Sequence, residues 1–207
     1  SHPEHFHIVI MVNAKETQPD FLKSKKPTPF DEAAFASLDE AIQNTLQDRL
    51  VSPDDIRGNA QSLQSVIANK GWPSVNDLRG RFIFLFDGND SQRERYTQGQ
   101  NNLKGRAMFA SFEPGHPSAA IMIRNNPIEQ QQDIRHLVES GFLVRTRADA
   151  NLSASHEQKA LQRDAAFRSG AQMISTDFYP QSPQAKRSNY SVHFEQGRLI
   201  RTNPISD

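Results

Sequence analysis

Cysteine is missing from all 207 residues, which excludes disulfides, thiolate nucleophiles and thiolate metal sites while leaving the redox compartment open. An excess of either charge is missing as well. Lys and Arg total 24, as do Asp and Glu, so there is no basic field for nucleic acid and no acidic tail for a basic partner. No apolar run approaches the roughly 20 residues that a membrane-crossing helix needs, and the first residues lack the basic-then-apolar pattern of an export signal. Internal repeats and low-complexity tracts are absent. So are two metal signatures. Asp87-Gly88-Asn89-Asp90 lacks the twelve-residue ligand pattern of an EF-hand and reads as a turn. None of the histidines, His2, His5, His7, His116, His136, His156 and His193, shows i, i+4 zinc spacing with a third ligand, and they read as surface residues.

What is present is a recurring step from apolar to polar. Gly141-Phe142-Leu143-Val144-Arg145-Thr146-Arg147-Ala148-Asp149 is echoed by Gly170-Ala171-Gln172-Met173-Ile174-Ser175-Thr176-Asp177. In each, a glycine closes a helical pattern, a short apolar run follows, and polar residues appear at its end. Consecutive strands of a β/α barrel read this way when their C-terminal tips line a polar site. Ile8–Val12 ending in Asn13-Ala14-Lys15-Glu16, Arg81–Phe86 ending in Asp87, and Ala107–Phe112 ending in Glu113 repeat the step.

Between these runs lie helix signals. Asp31 caps a helix carried by Phe35, Leu38, Ile42 and Leu46; Ser52-Pro53-Asp54-Asp55 is a turn or helix start, and Ser62 to Lys70 is a short helix stopped by Gly71. A polar helix runs from Ser91 to Gln98, another begins at Pro127 and ends at Gly141, and a third covers about Ala154 to Arg168. Ala119 to Ile123 adds a short extra strand, and residues 17–30 form a long loop. The tail, with Tyr190–Phe194 and Arg198–Ile200 around Glu195-Gln196-Gly197, reads as a terminal β-hairpin. Ile8–Val12 is expected to be buried on both faces with neighbours on both sides; if the chain begins here, one edge of it lies open or is covered by another polypeptide.

The fold class is therefore α/β. About five β/α units, the C-terminal part of a TIM-type (β/α)8 barrel, fill residues 1–207 as one domain, because a whole barrel takes ~250 residues.

Val12-Asn13-Ala14-Lys15-Glu16, Gly71-Trp72-Pro73-Ser74, Leu78–Phe82, Gly105-Arg106-Ala107-Met108-Phe109, Gly141–Asp149, Gly170–Tyr179 and Thr202-Asn203-Pro204 together resemble, in order, the C-terminal half of the bacterial calcium-dependent phosphoinositide phospholipases C. Glycerophosphodiester phosphodiesterases share the barrel logic and the final Thr-Asp strand tip. The resemblance implies a phosphoric diester hydrolase of lipid metabolism that cleaves phosphatidylinositol-type lipids to inositol phosphate and diacylglycerol. One histidine deprotonates the inositol 2-hydroxyl, a second protonates the leaving oxygen, and Ca2+ steadies the phosphate charge. In that family the histidines and most calcium ligands sit on the first three strands. They are expected upstream of this chain, in the same protein or on a second polypeptide, and the segment alone is expected to be inactive. A bacterial, secreted or periplasmic location follows from the same resemblance.

The residues themselves divide the work. Asn13 and Glu16 are oxygen donors suited to calcium, Asn13 standing where the resemblance calls for a carboxylate, and Lys15 suits a phosphate oxygen; alternatively, Lys15 and Glu16 are a solvated loop pair. Arg145 and Arg147 share one side of a strand and face an anionic headgroup, with Asp149 orienting one of them, unless one packs against a barrel carboxylate such as Asp87. Asp177 suits a polyol hydroxyl or caps a loop, and Tyr179 suits a sugar ring. Lys23, Lys25 and Lys26 beside Phe21 and Leu22 form a solvated loop or touch an anionic lipid surface. Other readings of the whole are a glycerophosphodiester phosphodiesterase-like enzyme and a non-catalytic polyol- or phosphate-binding barrel.

Overall fold

The computed structural model describes residues 2–17, 27–98, 102–149 and 151–205; the Lys23–Lys26 loop lies outside them. The chain divides into two compact units, Ser1–Ile121 and Met122–Asp207, each built of parallel strands and helices.

In the first unit β1 (Ile8–Val12) is followed by α1 (Glu32–Leu46), β2 (Leu50–Val51), α2 (Pro53–Arg57), α3 (Leu63–Lys70), β3 (Phe82–Phe86), α4 (Asp90–Thr97) and β4 (Phe109–Ala110). β3 is the central strand. β1 pairs with it in parallel along its whole length, from Ile8↔Phe82 to Val12↔Phe86. β2 pairs at Leu50↔Phe82 and Val51↔Ile83, and β4 at Leu85↔Phe109 and Phe86↔Ala110. A strand has only two edges, so β2 and β4 share the edge opposite β1, end to end.

Local chemistry sets the helix starts. The Asp31 side chain accepts from Ala34 N–H to open α1, while Ser52 with Asp55, and Asn89 with Gln92, form reciprocal capping boxes on α2 and α4. Phe35 from α1, Phe86 from β3 and Tyr96 from α4 make the centre of the core, with ring centroids 5.1 to 5.3 Å apart and no exposure.

One expectation fails here. Ile8, Ile10 and Met11 are 43 %, 36 % and 39 % exposed, so β1 is not buried on both faces. Among the described residues it pairs with β3 alone, and a strand lacking a neighbour and a second covering layer keeps its apolar side chains in water.

In the second unit β5 (Ile121–Ile123), which begins at its boundary, leads to α5 (Gln131–Glu139), β6 (Leu143–Arg147), α6 (His156–Ser169), β7 (Met173–Ser175) and α7 (Pro183–Ser188), the strands in the order β5-β6-β7. β6 and β7 are parallel with Arg145↔Met173 and Arg147↔Ser175. Gly141 and Gly170, the glycines that open the two echoing runs, both have positive φ, +88° and +83°. They let the chain leave α5 and α6 sharply and enter the next strand. α5 starts four residues later than Pro127, after a turn. The tail reverses as foreseen, but with no strand. Glu195–Gly197 is a 3-10 turn closed by the Phe194 N–H to the Arg198 carbonyl, 2.8 Å, and one such bond does not make a ladder.

Candidate active site

Register places the polar residues after β6 and β7. Because Arg147 is level with Ser175, the next residues of both strands emerge at one end, where Arg145, Arg147, Asp149, Ser175, Thr176 and Asp177 line a cavity of about 190 Å3. Arg145 and Arg147, two apart on one strand, do share a side. Arg145 is 7 % exposed; its guanidinium donates to Asn125 Oδ1 and Ser175 Oγ, both at 2.5 Å. Arg147 differs: among the described residues its guanidinium has no hydrogen-bond or ion-pair partner, and it is half-buried.

Asp149, also 7 % exposed, holds the loop after β7. Its carboxylate accepts from the Thr176 hydroxyl and, at 3.1 Å, from the Asp177 N–H. Thr176 Oγ1 in turn accepts from Phe178 N–H at 2.9 Å. The role expected for Asp149, orienting an arginine, is thus taken for Arg145 by Asn125 and Ser175. The carboxylate of Asp177 is exposed and unpartnered among the described residues. Tyr179 is 54 % exposed and does not line this cavity.

Two further residues support the site and carry no signal in the strand-tip pattern. Lys159, on α6 and 4 % exposed, donates from Nζ to the Leu152 carbonyl at 2.9 Å and lies 4.4 Å from the Phe178 ring centroid. Asn125, just beyond β5, could be found only by knowing that its strand neighbours β6.

The first unit has its own strand tips. Asp87 N–H donates to the Val12 carbonyl at 2.8 Å, so Asn13 and Asp87 stand side by side, the Asn13 amide donating to the Asp87 carboxylate at 3.2 Å. Buried Gln92 donates to the Ala14 carbonyl at 2.7 Å and fixes the turn. Lys15 is exposed. Glu16 has a structural partner set: one oxygen accepts from Phe30 N–H at 2.8 Å and from Arg95 at 2.7 Å. Partial burial pushes the Glu16 carboxyl up, but the Phe30 N–H, Gln92 and Arg95 outweigh it and hold its pKa below the usual carboxylate range.

A calcium ion takes six to eight oxygens. Asn13 and Asp87 suit its preference for hard donors, Glu16 is already engaged by Arg95, and no group of three or more His, Cys, Asp or Glu able to hold a metal occurs among the described residues. These side chains alone do not make up a calcium site.

No histidine lines the strand-tip cavity. His116 is the most constrained: it stacks on Phe112 at 4.0 Å, and Ser118 N–H donates to its Nδ1 at 3.1 Å. Burial, then the nearby Arg93, lowers its pKa.

The comparisons with known proteins converge on one family. The family described as calcium-dependent phosphoinositide phospholipase C matches residues 1–204, and the chain belongs to it. A calcium-dependent phosphatidylinositol-specific phospholipase C from Streptomyces antibioticus is 17 % identical over 86 % of this chain, with a TM-score of 0.63. An apo calcium-dependent phosphoinositol-specific enzyme from the Gram-negative Pseudomonas sp. is 16 % identical over 97 %, at 0.59, and its myo-inositol complex is 14 % identical over 84 %, at 0.53. These likenesses show the fold, a part of the TIM-type barrel. The chain spans 66 %, 64 % and 59 % of those three chains. No curated protein matches it.

Proposed function

We propose that this chain supplies the headgroup-recognition side of a phospholipase C that cleaves phosphatidylinositol-type lipids. The observation that carries this reading is one polar cavity lined by the Arg147 guanidinium and the Asp177 carboxylate, both without a partner among the described residues. A half-buried guanidinium that forms no ion pair among the described residues is free to take an anion, and it matches phosphate oxygens with paired donors. Asp177 accepts hydroxyls, as a polyol requires. Arg145, pinned by Asn125 and Ser175, adds fixed positive charge behind them, and Asp149 holds the Thr176–Asp177 backbone in place.

The acid–base histidines belong, in this proposal, to polypeptide beyond these residues, since none enters the cavity. Calcium would be completed from the same source around Asn13 and Asp87, with Lys15 on a phosphate oxygen, and export with work at a membrane surface accompanies the substrate class. Bound calcium would supply charge stabilisation at the phosphate.

Titration of the chain with myo-inositol 1-phosphate, followed by amide chemical shifts, tests the recognition step. Saturable shifts at residues 145–149 and 175–179 are expected, and Arg147→Gln should weaken binding about tenfold or more, the loss of a charge-assisted pair. Preference for glycerol 3-phosphate over inositol phosphate would favour a glycerophosphodiester-type enzyme. Binding of neither would overturn the reading. With the full-length protein, chelator-sensitive release of inositol phosphate separates an enzyme from a non-catalytic binder.

A further inference from the structure

A second cavity of the Met122–Asp207 unit lies between α6 and the chain's last reversal. After α7 the backbone runs back along α6. Val192 N–H donates to the Phe178 carbonyl at 2.8 Å, Arg201 donates to the Phe167 carbonyl, and the Asn203 amide donates to the Gly170 carbonyl at 2.7 Å. Phe178 follows the C-terminal tip of β7, whereas Gly170 precedes its start. The tail therefore crosses the flank of this unit, and the turn at Glu195–Gly197 bows over α6 to leave about 550 Å3. None of the residues lining this space lines the strand-tip cavity.

The lining has the chemistry of an anion site with an apolar floor. Phe167 and Phe194 lie with ring centroids 4.6 Å apart, and the Arg201 guanidinium sits over both, 5.3 and 4.6 Å from their centroids. A guanidinium stacked on rings keeps in-plane donors for an anion. Arg163 and Arg198 complete three guanidiniums in the wall, with His193 beside them. Two carboxylates oppose them. Asp164 is paired to Arg163 at 2.8 Å, which leaves Glu195 as the other carboxylate in the wall with Arg198 and Arg201 among the described residues. Arg198 makes one long bond, from Nε to the Glu195 carbonyl at 3.4 Å, and its terminal nitrogens have no partner among the described residues. Between these two arginines Leu199 and Ile200 are 67 % and 54 % exposed.

We propose that this cavity is a second, non-catalytic binding site for a phosphate-bearing organic anion. Arg198 and Arg201 take the phosphate, and Phe167 with Phe194 takes the apolar part. The same phosphate can be presented by a soluble ester or by the headgroup of an anionic lipid, with Leu199 and Ile200 entering the surface beside it.

Two arms distinguish the sources. In the first, the full chain is titrated with glycerol 3-phosphate and amide shifts are followed at residues 193–202. In the second, it is co-sedimented with vesicles of phosphatidylcholine alone or with one-fifth phosphatidate. A saturable response in either arm, weakened at least tenfold by Arg198→Gln and by Arg201→Lys and untouched by Arg147→Gln, supports the site. The control with Arg147 separates it from the strand-tip cavity. Response to the soluble ester alone assigns a free ligand; retention on phosphatidate vesicles that is lost in Leu199→Ser/Ile200→Ser assigns a lipid. Arg198 is exposed with a single weak contact, so its variant should keep the wild-type melting temperature. No saturable response in either arm, or full binding by Arg198→Gln, would overturn the proposal.

Discussion

The carboxylate of Asp39 accepts from the Tyr96 hydroxyl at 2.7 Å, from Arg106 at 2.9 Å and from Ala107 N–H at 3.1 Å. All of this is buried: Asp39 is 4 % and Arg106 8 % exposed. Burial first, then the Asp39 charge and hydrogen bond, raise the Tyr96 phenol well above 10, so it stays a donor. Removing one member strands the others in a place without water. Asp39→Ala should lower unfolding free energy by about 3–5 kcal/mol, read from the urea midpoint, while Arg106→Met with Asp39→Leu should recover much of it. The sequence contained a trace of this network. Phe35, Asp39 and Ile42 fall at helical spacing, but so do Phe35, Leu38 and Ile42, and periodicity alone does not say which residue lies at the centre of the stripe. The Arg106 of the Gly105–Phe109 motif is a structural partner for that reason. Arg145 and Arg147 were legible as a pair because alternation along a strand is rigid; that one is engaged and the other is not depends on Asn125, just beyond β5, and on Ser175 of β7.

At the scale of elements, several helix starts were legible, since a cap needs only residues three apart, whereas α5 begins four residues after Pro127 and α7 was not read at all. Ser155 and Gln158 bond reciprocally at the start of α6, and Ser155→Ala should cost about 1 kcal/mol, measurable as a fall in melting temperature. Helix ends are legible through glycine. At Gly170, with φ +83°, an added Cβ would stand 2.2 Å from Ile205 Cδ1. Gly170→Ala should therefore destabilise by about 1 kcal/mol or more, and an added Ile205→Ala should relieve the clash while leaving the backbone share. One short strand was not legible. Leu50–Val51 is two residues long, too brief for any period, and exists because β3 offers an edge there. The expected β-hairpin of the tail failed for the complementary reason: its residues alternate suitably, yet α6 draws them into side-chain contacts and no partner strand remains.

At the scale of the whole molecule, charge balance governs behaviour with pH. Equal numbers of acidic and basic residues and a pI near 7.1 place minimum solubility close to neutrality, checked by precipitation against pH. Stability should move differently. Burial lowers the pKa of His7, and burial followed by Arg93 lowers that of His116, both from 6.5. A histidine whose folded pKa is depressed binds its proton more readily when unfolded, so its neutral form contributes full stability above about pH 6.5. That contribution is lost as pH falls through the folded values. Glu16, whose folded pKa is also depressed, adds a second loss below its usual 4.5. The melting temperature should fall from pH 7 to 5, and His7→Gln/His116→Gln should flatten that part of the profile; an unchanged slope would show that other groups set it.

By itself the sequence determined the α/β class, the parallel repeat of apolar run and polar tip, the helix caps and the family, because each of these is written in neighbouring residues or in the order of short motifs. Only the tertiary structure decided that β1 keeps apolar side chains in water, that Glu16 belongs to Arg95, that Arg147 has no partner among the described residues, and that the tail encloses a cavity. Those outcomes depend on residues distant in the chain meeting across strands and helices, and a partner's absence, like its presence, is fixed by packing and not by spacing.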